Sequence, residues 1–272
     1  MATGYTPYNF QLVNKRTGRP VDDDSGQFIA YTASSPVKAT LYSDNQGTSL
    51  TQPGTMTNGY GKFWTADSVT SVDVTILTAT GRSYFCEGLT PSQHRVDVDP
   101  EKQEYLLVMG WSIKSAHGDG TVSALGFQLQ NGMIIRDVYV QKTSAGVGVG
   151  AGLLVDFGVS GDPDGFIDGI TATATGYYTN MAVIASDTEG GSIIAATQTR
   201  GVLLMKHQKG LSGITASVGS PGQMAYQPYV ASLVTTTNNL VFAITATSAL
   251  TTVAGSEGYV FYAYELVPTA GN

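Results

Sequence analysis

Apolar residues recur at every second position in short runs along most of the chain, and glycine, asparagine, aspartate and proline cut the runs apart. In Ser71–Leu77, Val72, Val74 and Ile76 fall on one side while Asp73, Thr75 and Leu77 fall on the other. Val37, Ala39 and Leu41 oppose Lys38, Thr40 and Tyr42 in the same way. A period of two marks a β-strand with one face on a core. It predicts strands at 9–13, 27–31, 37–42, 62–64, 71–77 and 82–86. Further on it predicts 105–113, 121–129, 133–141, 152–159, 166–174, 181–186, 192–196, 201–206, 213–218, 229–234, 239–246 and 258–266, with some of these merging or becoming loops. No helical stripe competes; the nearest, Glu101–Val108, is short and lacks a cap.

The stretch 121–168 sets the architecture. Its three β-rich runs are separated by Gly/Asn/Asp turns and leave no room for a crossover helix, which points to antiparallel sheets. The expected fold is all-β: a small N-terminal antiparallel β-sandwich followed by a larger, jelly-roll-like β-sandwich. The expected divisions are an arm and first strand at 1–20, a small sandwich at 21–89, a linker at 90–104 and a larger domain at 105–272. Asn14–Arg19 reads as a turn. Residues 90–104 read as a linker because Asp97, Asp99, Pro100, Glu101 and Glu104 raise the local charge, with a short strand at Val96 and Val98 as the alternative. In the last strand Tyr259, Phe261, Ala263 and Glu265 alternate with Val260, Tyr262, Tyr264 and Leu266, so both faces carry large side chains. That predicts cover on both sides, one by the core and one by another subunit, and makes Tyr259, Phe261, Tyr262 and Tyr264 subunit-interface candidates.

Composition narrows the function. Of 272 residues 42% are apolar and 13% charged, a balance that folds. The net charge of −7 and the lack of basic clusters beyond Lys15-Arg16 and Lys206-His207-Lys209 argue against nucleic acid as a partner. Met1–Pro7 has no basic or apolar leader character, and no run of apolar residues is long enough for a membrane span. The expectation is synthesis in a cytoplasm without a membrane partner. The single cysteine, Cys86, sits in an apolar run and reads as a buried thiol.

Candidate chemistry is sparse, and neither an enzyme nor a cofactor is expected. The histidines are His94, His117 and His207, and no nucleophile–base motif or zinc-ligand spacing accompanies them. His117, within Ser115–Gly120, is a turn residue in the simpler reading, and a site or interface residue in the other. The Asp22-Asp23-Asp24 trio reads as a solvated loop. Gly146–Gly152 lacks both the Gly-Lys-Ser/Thr ending of a phosphate loop and a βαβ unit to hold a dinucleotide. In Ser160–Gly169, Asp162, Asp164 and Asp168 offer hard oxygen ligands around a glycine. An Asx/Pro turn between strands is the simpler reading, and a structural calcium ion is the alternative. Trp64 and Trp111 lie in strand-like runs and read as packing residues. Tyr177-Tyr178, between Gly176 and Asn180, reads as an exposed loop suited to an interface or a sugar.

Residues 39–76 carry a recognisable pattern: Ala39–Pro53 with its Asp44–Gly47 turn, then Gly59-Tyr60-Gly61-Lys62-Phe63-Trp64, then Val72–Ile76. It resembles the small immunoglobulin-like or prealbumin-like sandwich of tailed-bacteriophage virion proteins. Phe63 and Trp64 would then be one core anchor and one lateral contact. The runs Ile135–Val140, Val155–Gly158, Gly161–Asp164 and Tyr259–Tyr264 resemble the β-sandwich of phage head-decoration and other accessory virion proteins. The resemblance implies a structural protein of the virion, assembled in the host cytoplasm. It would be a homotrimer that clamps the major capsid protein, with Tyr5, Tyr8, Phe10 and Leu12 of the N-terminal arm as shell contacts. Two readings compete with it. One is a tail- or fibre-associated protein that binds host glycan through Tyr177 and Tyr178. The other is a glycan hydrolase, which would need two carboxylates in a groove.

Overall fold

A computed structural model describes residues 4–21, 25–99, 105–113, 117, 119–129, 133–144, 153–171, 175–179, 229–230, 239–246 and 256–266. The described secondary structure is entirely β, as expected. The predicted strands 181–186, 192–196, 201–206 and 213–218, the Asp22–Asp24 trio and the Gly146–Gly152 run lie outside the described residues. The chain divides into two units, Met1–Gly110 and Trp111–Asn272.

The first unit is a sandwich of two sheets. One is ordered β4-β3-β6-β1-β9, from Ser49–Leu50, Leu41–Tyr42, Tyr60–Ala66, Tyr5–Asn14 and Arg95–Val98. The other is ordered β5-β2-β7-β8, from Gly54–Thr55, Gln27–Thr32, Val72–Leu77 and Ser83–Leu89. Tyr8, Phe10 and Phe63 from the first sheet meet Phe28, Val74 and Ile76 from the second in one buried cluster. Phe28 joins the layers: its ring lies 5.5 Å from both Phe10 and Phe63. The pleat sends Trp64 to the other face, where the Lys62 ammonium sits 4.5 Å over its ring. The Asp44–Gly47 turn is an Asx turn, with Asp44 Oδ1 accepting from the Gln46 and Thr48 amides at 2.9 and 3.1 Å. Hydrogen bonds from Thr48, foremost, hold the Asp44 carboxyl below its ordinary pKa.

One expectation about this unit needs correction. The arm is a central strand: β1 pairs antiparallel with β6 and parallel with β9. Its Tyr8, Phe10 and Leu12 are 0% exposed. A strand flanked on both sides has its backbone satisfied and its apolar face in the core, so these three side chains cannot present themselves to a shell. Within the segment 90–104 the short strand left open at Val96 and Val98 is present: β9 is an edge strand of the first sheet.

The boundary falls inside the next strand, β10, Leu106–Ser112. Its first half runs over the outer face of β8, β7 and β2 in turn. Ser83 Oγ donates to the Leu106 carbonyl at 2.9 Å and Thr75 Oγ1 to the Val108 carbonyl at 2.8 Å. Gly110 lies against Tyr31 and Pro36. This strap explains why Asp73, Thr75 and Leu77 are as buried as the core-facing residues of β7. Asp73 is satisfied beneath it by the Ser34 and Gly88 amides, which donate at 2.7 and 2.8 Å.

The second unit also has two layers, one of five strands and one of four. One is ordered β10-β18-β12-β15, with β18 at Glu257–Leu266, β12 at Met133–Ser144 and β15 at Gly176–Thr179. A short β16, Tyr229–Val230, pairs with the other end of β12. The facing sheet is ordered β11-β17-β13-β14, from Val122–Gln128, Asn239–Ala246, Leu153–Val159 and Asp162–Thr171. The pairs nest: β13 with β14, β12 with β15, β11 with β17, and β10 with β18. Such a nest is one long hairpin. The β12–β18 and β13–β17 ladders roll it into two sheets, which is the strand order of a jelly roll. Trp111 from one layer packs on Phe157 and Phe242 of the other, with ring centroids 5.5 and 6.3 Å away. Phe166 and Tyr262 likewise meet across the layers at 5.8 Å.

Gly110→Ala drives a Cβ into the Pro36 carbonyl oxygen and should cost roughly 2–3 kcal/mol. Thr75→Val leaves the Val108 carbonyl without its donor and should cost about 1 kcal/mol. Denaturant melts of both variants test the strap. Phe10→Ala should cost about 3–5 kcal/mol of stability; a variant as stable as the parent would return β1 to the role of an arm.

Candidate interaction surface

The outward face of β18, β12 and β15 collects large side chains that the core does not use. On β18, Val260, Tyr262 and Tyr264 are buried, whereas Tyr259, Phe261, Ala263 and Glu265 are half-buried on the opposite side. The four interface candidates therefore divide. Tyr259 and Phe261 face out, and Tyr262 and Tyr264 are core residues that cannot reach a partner. Burial raises the Tyr262 phenol above its ordinary pKa, so it stays neutral.

Register builds the face. Tyr139 on β12 stands opposite Phe261, and their rings stack at 5.2 Å with 17° between planes. Gln141 stands between Tyr259 on β18 and Tyr177 on β15. Gln141 Nε2 donates to the Tyr177 hydroxyl at 3.0 Å, while the Tyr177 side chain remains 74% exposed. The expected Tyr177-Tyr178 loop is thus part of a strand. The Tyr178 backbone pairs with Val140, and its side chain lies outside the described residues. At the far end Arg136 forms an ion pair with Glu265.

Lys142 lies on the inner side of the same ladder, in phase with Val138 and Val140, and is 2% exposed. Its neighbours across the ladder are Gly176 and Gly258, which leave room for its stem. Burial lowers its pKa from 10.5 to about 8. The strand alternation already aims this lysine inward, a signal that a search for motifs passes over.

The other candidates separate. The Ser160–Gly169 segment is not a loop: Ser160-Gly161 is a tight turn and β14 starts at Asp162. Between the Phe157–Ile167 and Val159–Asp162 pairs, β13 advances two residues and β14 five, so Pro163–Phe166 contains a wide bulge. Asp164 is half-buried, and the Asp162 and Asp168 side chains lie outside the described residues. Among the described residues no group of three or more His, Cys, Asp or Glu side chains converges on a metal position. His117 is half-buried with its ring 5.9 Å from Phe242, and the His94 carbonyl accepts from the Gln11 amide at 3.0 Å. Cys86 is half-buried on β8, and burial, with help from Asp73 and Glu87, raises its pKa, which keeps the thiol protonated and unreactive. A cleft of about 410 Å³ opens in the first unit between the edge strands β8 and β9, lined by Arg82, Tyr84, Phe85, Val96, Val98 and Leu106. Among the described residues no helix is long and apolar enough to cross a membrane.

Fold and surface together define an all-β protein of a sandwich followed by a jelly roll, with a tyrosine-rich outward sheet face. Comparison with known protein families, with characterised proteins and with solved structures found no match.

Lys142→Met tests the buried ammonium. Between about pH 8 and the unfolded value near 10.4 the unfolded chain holds more protons than the folded one, so the stability contributed by this site rises with pH. The variant should therefore be more stable than the parent at pH 7, by about 1–3 kcal/mol. That advantage should shrink through pH 8 to 10 in thermal melts. An advantage independent of pH would show that charge burial is not its source.

Proposed function

We infer that the chain is a structural virion protein of a tailed bacteriophage, acting in assembly rather than in catalysis. The best-supported role is head decoration: an oligomer that binds the major capsid protein and stabilises the lattice. The observation that carries this reading is the outward face of β18, β12 and β15, with Tyr139, Phe261, Tyr259 and Tyr177 on a rigid jelly-roll layer. A tyrosine-rich surface of this kind suits protein contact. The resemblance of residues 39–76 to small virion sandwiches supplies the setting; Phe63 is in the core and Trp64 is on the opposite face of the sheet. The shell contact is assigned to exposed surface, since Tyr8, Phe10 and Leu12 are in the core. Exposure of Tyr177 favours a second reading, a tail- or fibre-associated protein that binds host glycan.

Immunogold labelling of phage particles, with antibodies raised against the purified chain, tests both. Gold distributed over the head supports decoration. Gold confined to tail or fibres overturns it and makes Tyr177 the first residue to test for glycan binding.

A further inference from the structure

We propose that the cleft between β8 and β9 takes an extended peptide segment of a partner protein, which adds to the edge of β8 as a further strand. The whole lining of the cleft comes from the first unit, and its occupant is independent of the virion reading.

Three observations select this occupant. First, both edge strands offer main-chain groups to the cleft. The Thr78 amide donates to the Arg82 carbonyl at 2.8 Å, so the hydrogen-bonded pairs of the β7–β8 ladder are Ile76–Tyr84 and Val74–Cys86. Phe85 stands between them and directs its N–H and C=O away from β7. On β9 the His94 and Val98 carbonyls accept from the Gln11 and Lys15 amides at 3.0 and 2.8 Å, which turns the Asp97 main chain away from β1. Phe85 and Asp97 both line the cleft, and among the described residues neither main chain has a hydrogen-bond partner. An apolar small molecule leaves such groups unanswered, whereas an extended peptide supplies donors and acceptors in alternation. Second, the lining is apolar where it meets the core: Tyr84, packed on the core cluster, together with Val96 and Val98. A strand sends every second side chain to one face, so a segment with apolar residues at alternate positions would extend the sandwich core. Over Ser83–Leu89 there is neither lysine nor proline, the residues that ordinarily keep an edge from pairing. Third, the unmatched charge of the cleft is positive. Asp97 and Asp99 of the lining pair with Arg95 and Arg16, whereas among the described residues Arg82 makes no ion pair. The segment therefore carries a carboxylate side chain for Arg82.

Fluorescence anisotropy of the full chain with fluorescein-labelled peptides tests the proposal. The peptides alternate valine, isoleucine or phenylalanine with threonine and carry one glutamate. The parent should bind at least one of them saturably. Phe85→Pro removes the outward N–H at an edge position, where proline is tolerated, and should weaken binding about tenfold or more with an unchanged circular dichroism spectrum. Arg82→Gln should weaken it about fivefold, and glutamine in place of the peptide's glutamate should abolish that difference. If Phe85→Pro fails to fold, the same peptide N-methylated throughout is offered to the parent instead and should bind about tenfold or more weakly. A parent that binds none of the peptides overturns the proposal, as does equal binding by folded Phe85→Pro. Binding that N-methylation leaves unchanged also overturns it and would assign the cleft to a ligand read through side chains alone.

Discussion

One extra residue in β12 sets the orientation of the second unit. Ile135 pairs with Tyr264 and Asp137 pairs with Ala263, so the register shifts by one residue at Arg136. Side chains in a strand alternate strictly, and one unmatched residue reverses the phase. Before the bulge Met133 and Ile135 face the core; after it Val138, Val140 and Lys142 do. Without the bulge one half of the longest strand would turn its apolar set to solvent. Arg136, at the shift, forms the ion pair with Glu265. The bulge thereby aligns the inner face and terminates the outer aromatic one.

From that alignment the rest of the layer follows. Tyr139 meets Phe261 outside because Val138 and Val140 meet Tyr262 and Val260 inside. The nested pairing then places each strand by its distance from the β13–β14 turn, and the inward aromatic residues of the two layers meet as Trp111, Phe157 and Phe242. Lys142 is the exception on the inner side. Two flanking glycines leave space for it, and burial works against its charge.

Much of this was legible in the alternation. The all-β class, the runs 27–31, 71–77, 239–246 and 258–266, and the two large faces of the last strand follow from period two, and the structure places strands at Gln27–Thr32, Val72–Leu77, Asn239–Ala246 and Glu257–Leu266. What alternation does not carry is which neighbour a strand takes. The segment 9–13 reads as a first strand following an arm, but its central place in the sheet does not show because its partners, β6 and β9, lie some 50 to 85 residues onward, as in the pairs Gln11–Tyr60 and Gln11–Arg95. The burial of Asp73 and Thr75 depends on a strap that sequence spacing does not announce. Among the site residues, Tyr262 and Tyr264 were separable from Tyr259 and Phe261 by parity alone, but which parity faces the core is fixed only by the facing sheet. Asp162 reads as a loop residue in the sequence because Pro and Gly punctuate the segment, whereas the bulge absorbs both within a strand.

The strap along Leu106–Gly110 also bears on how such a chain can be recombined. Gene exchange between modular proteins is tolerated where the junction falls in an exposed connection that neither neighbour needs. Here the acidic stretch after β9 looks like such a junction in the sequence, yet the segment beyond it still roofs β2, β7 and β8. A crossover there would bring a foreign roof to the first unit, without the hydroxyl–carbonyl contacts made by Ser83 and Thr75 or the bare backbone at Gly110. The unit of inheritance that keeps the small sandwich intact extends into the first strand of the larger one.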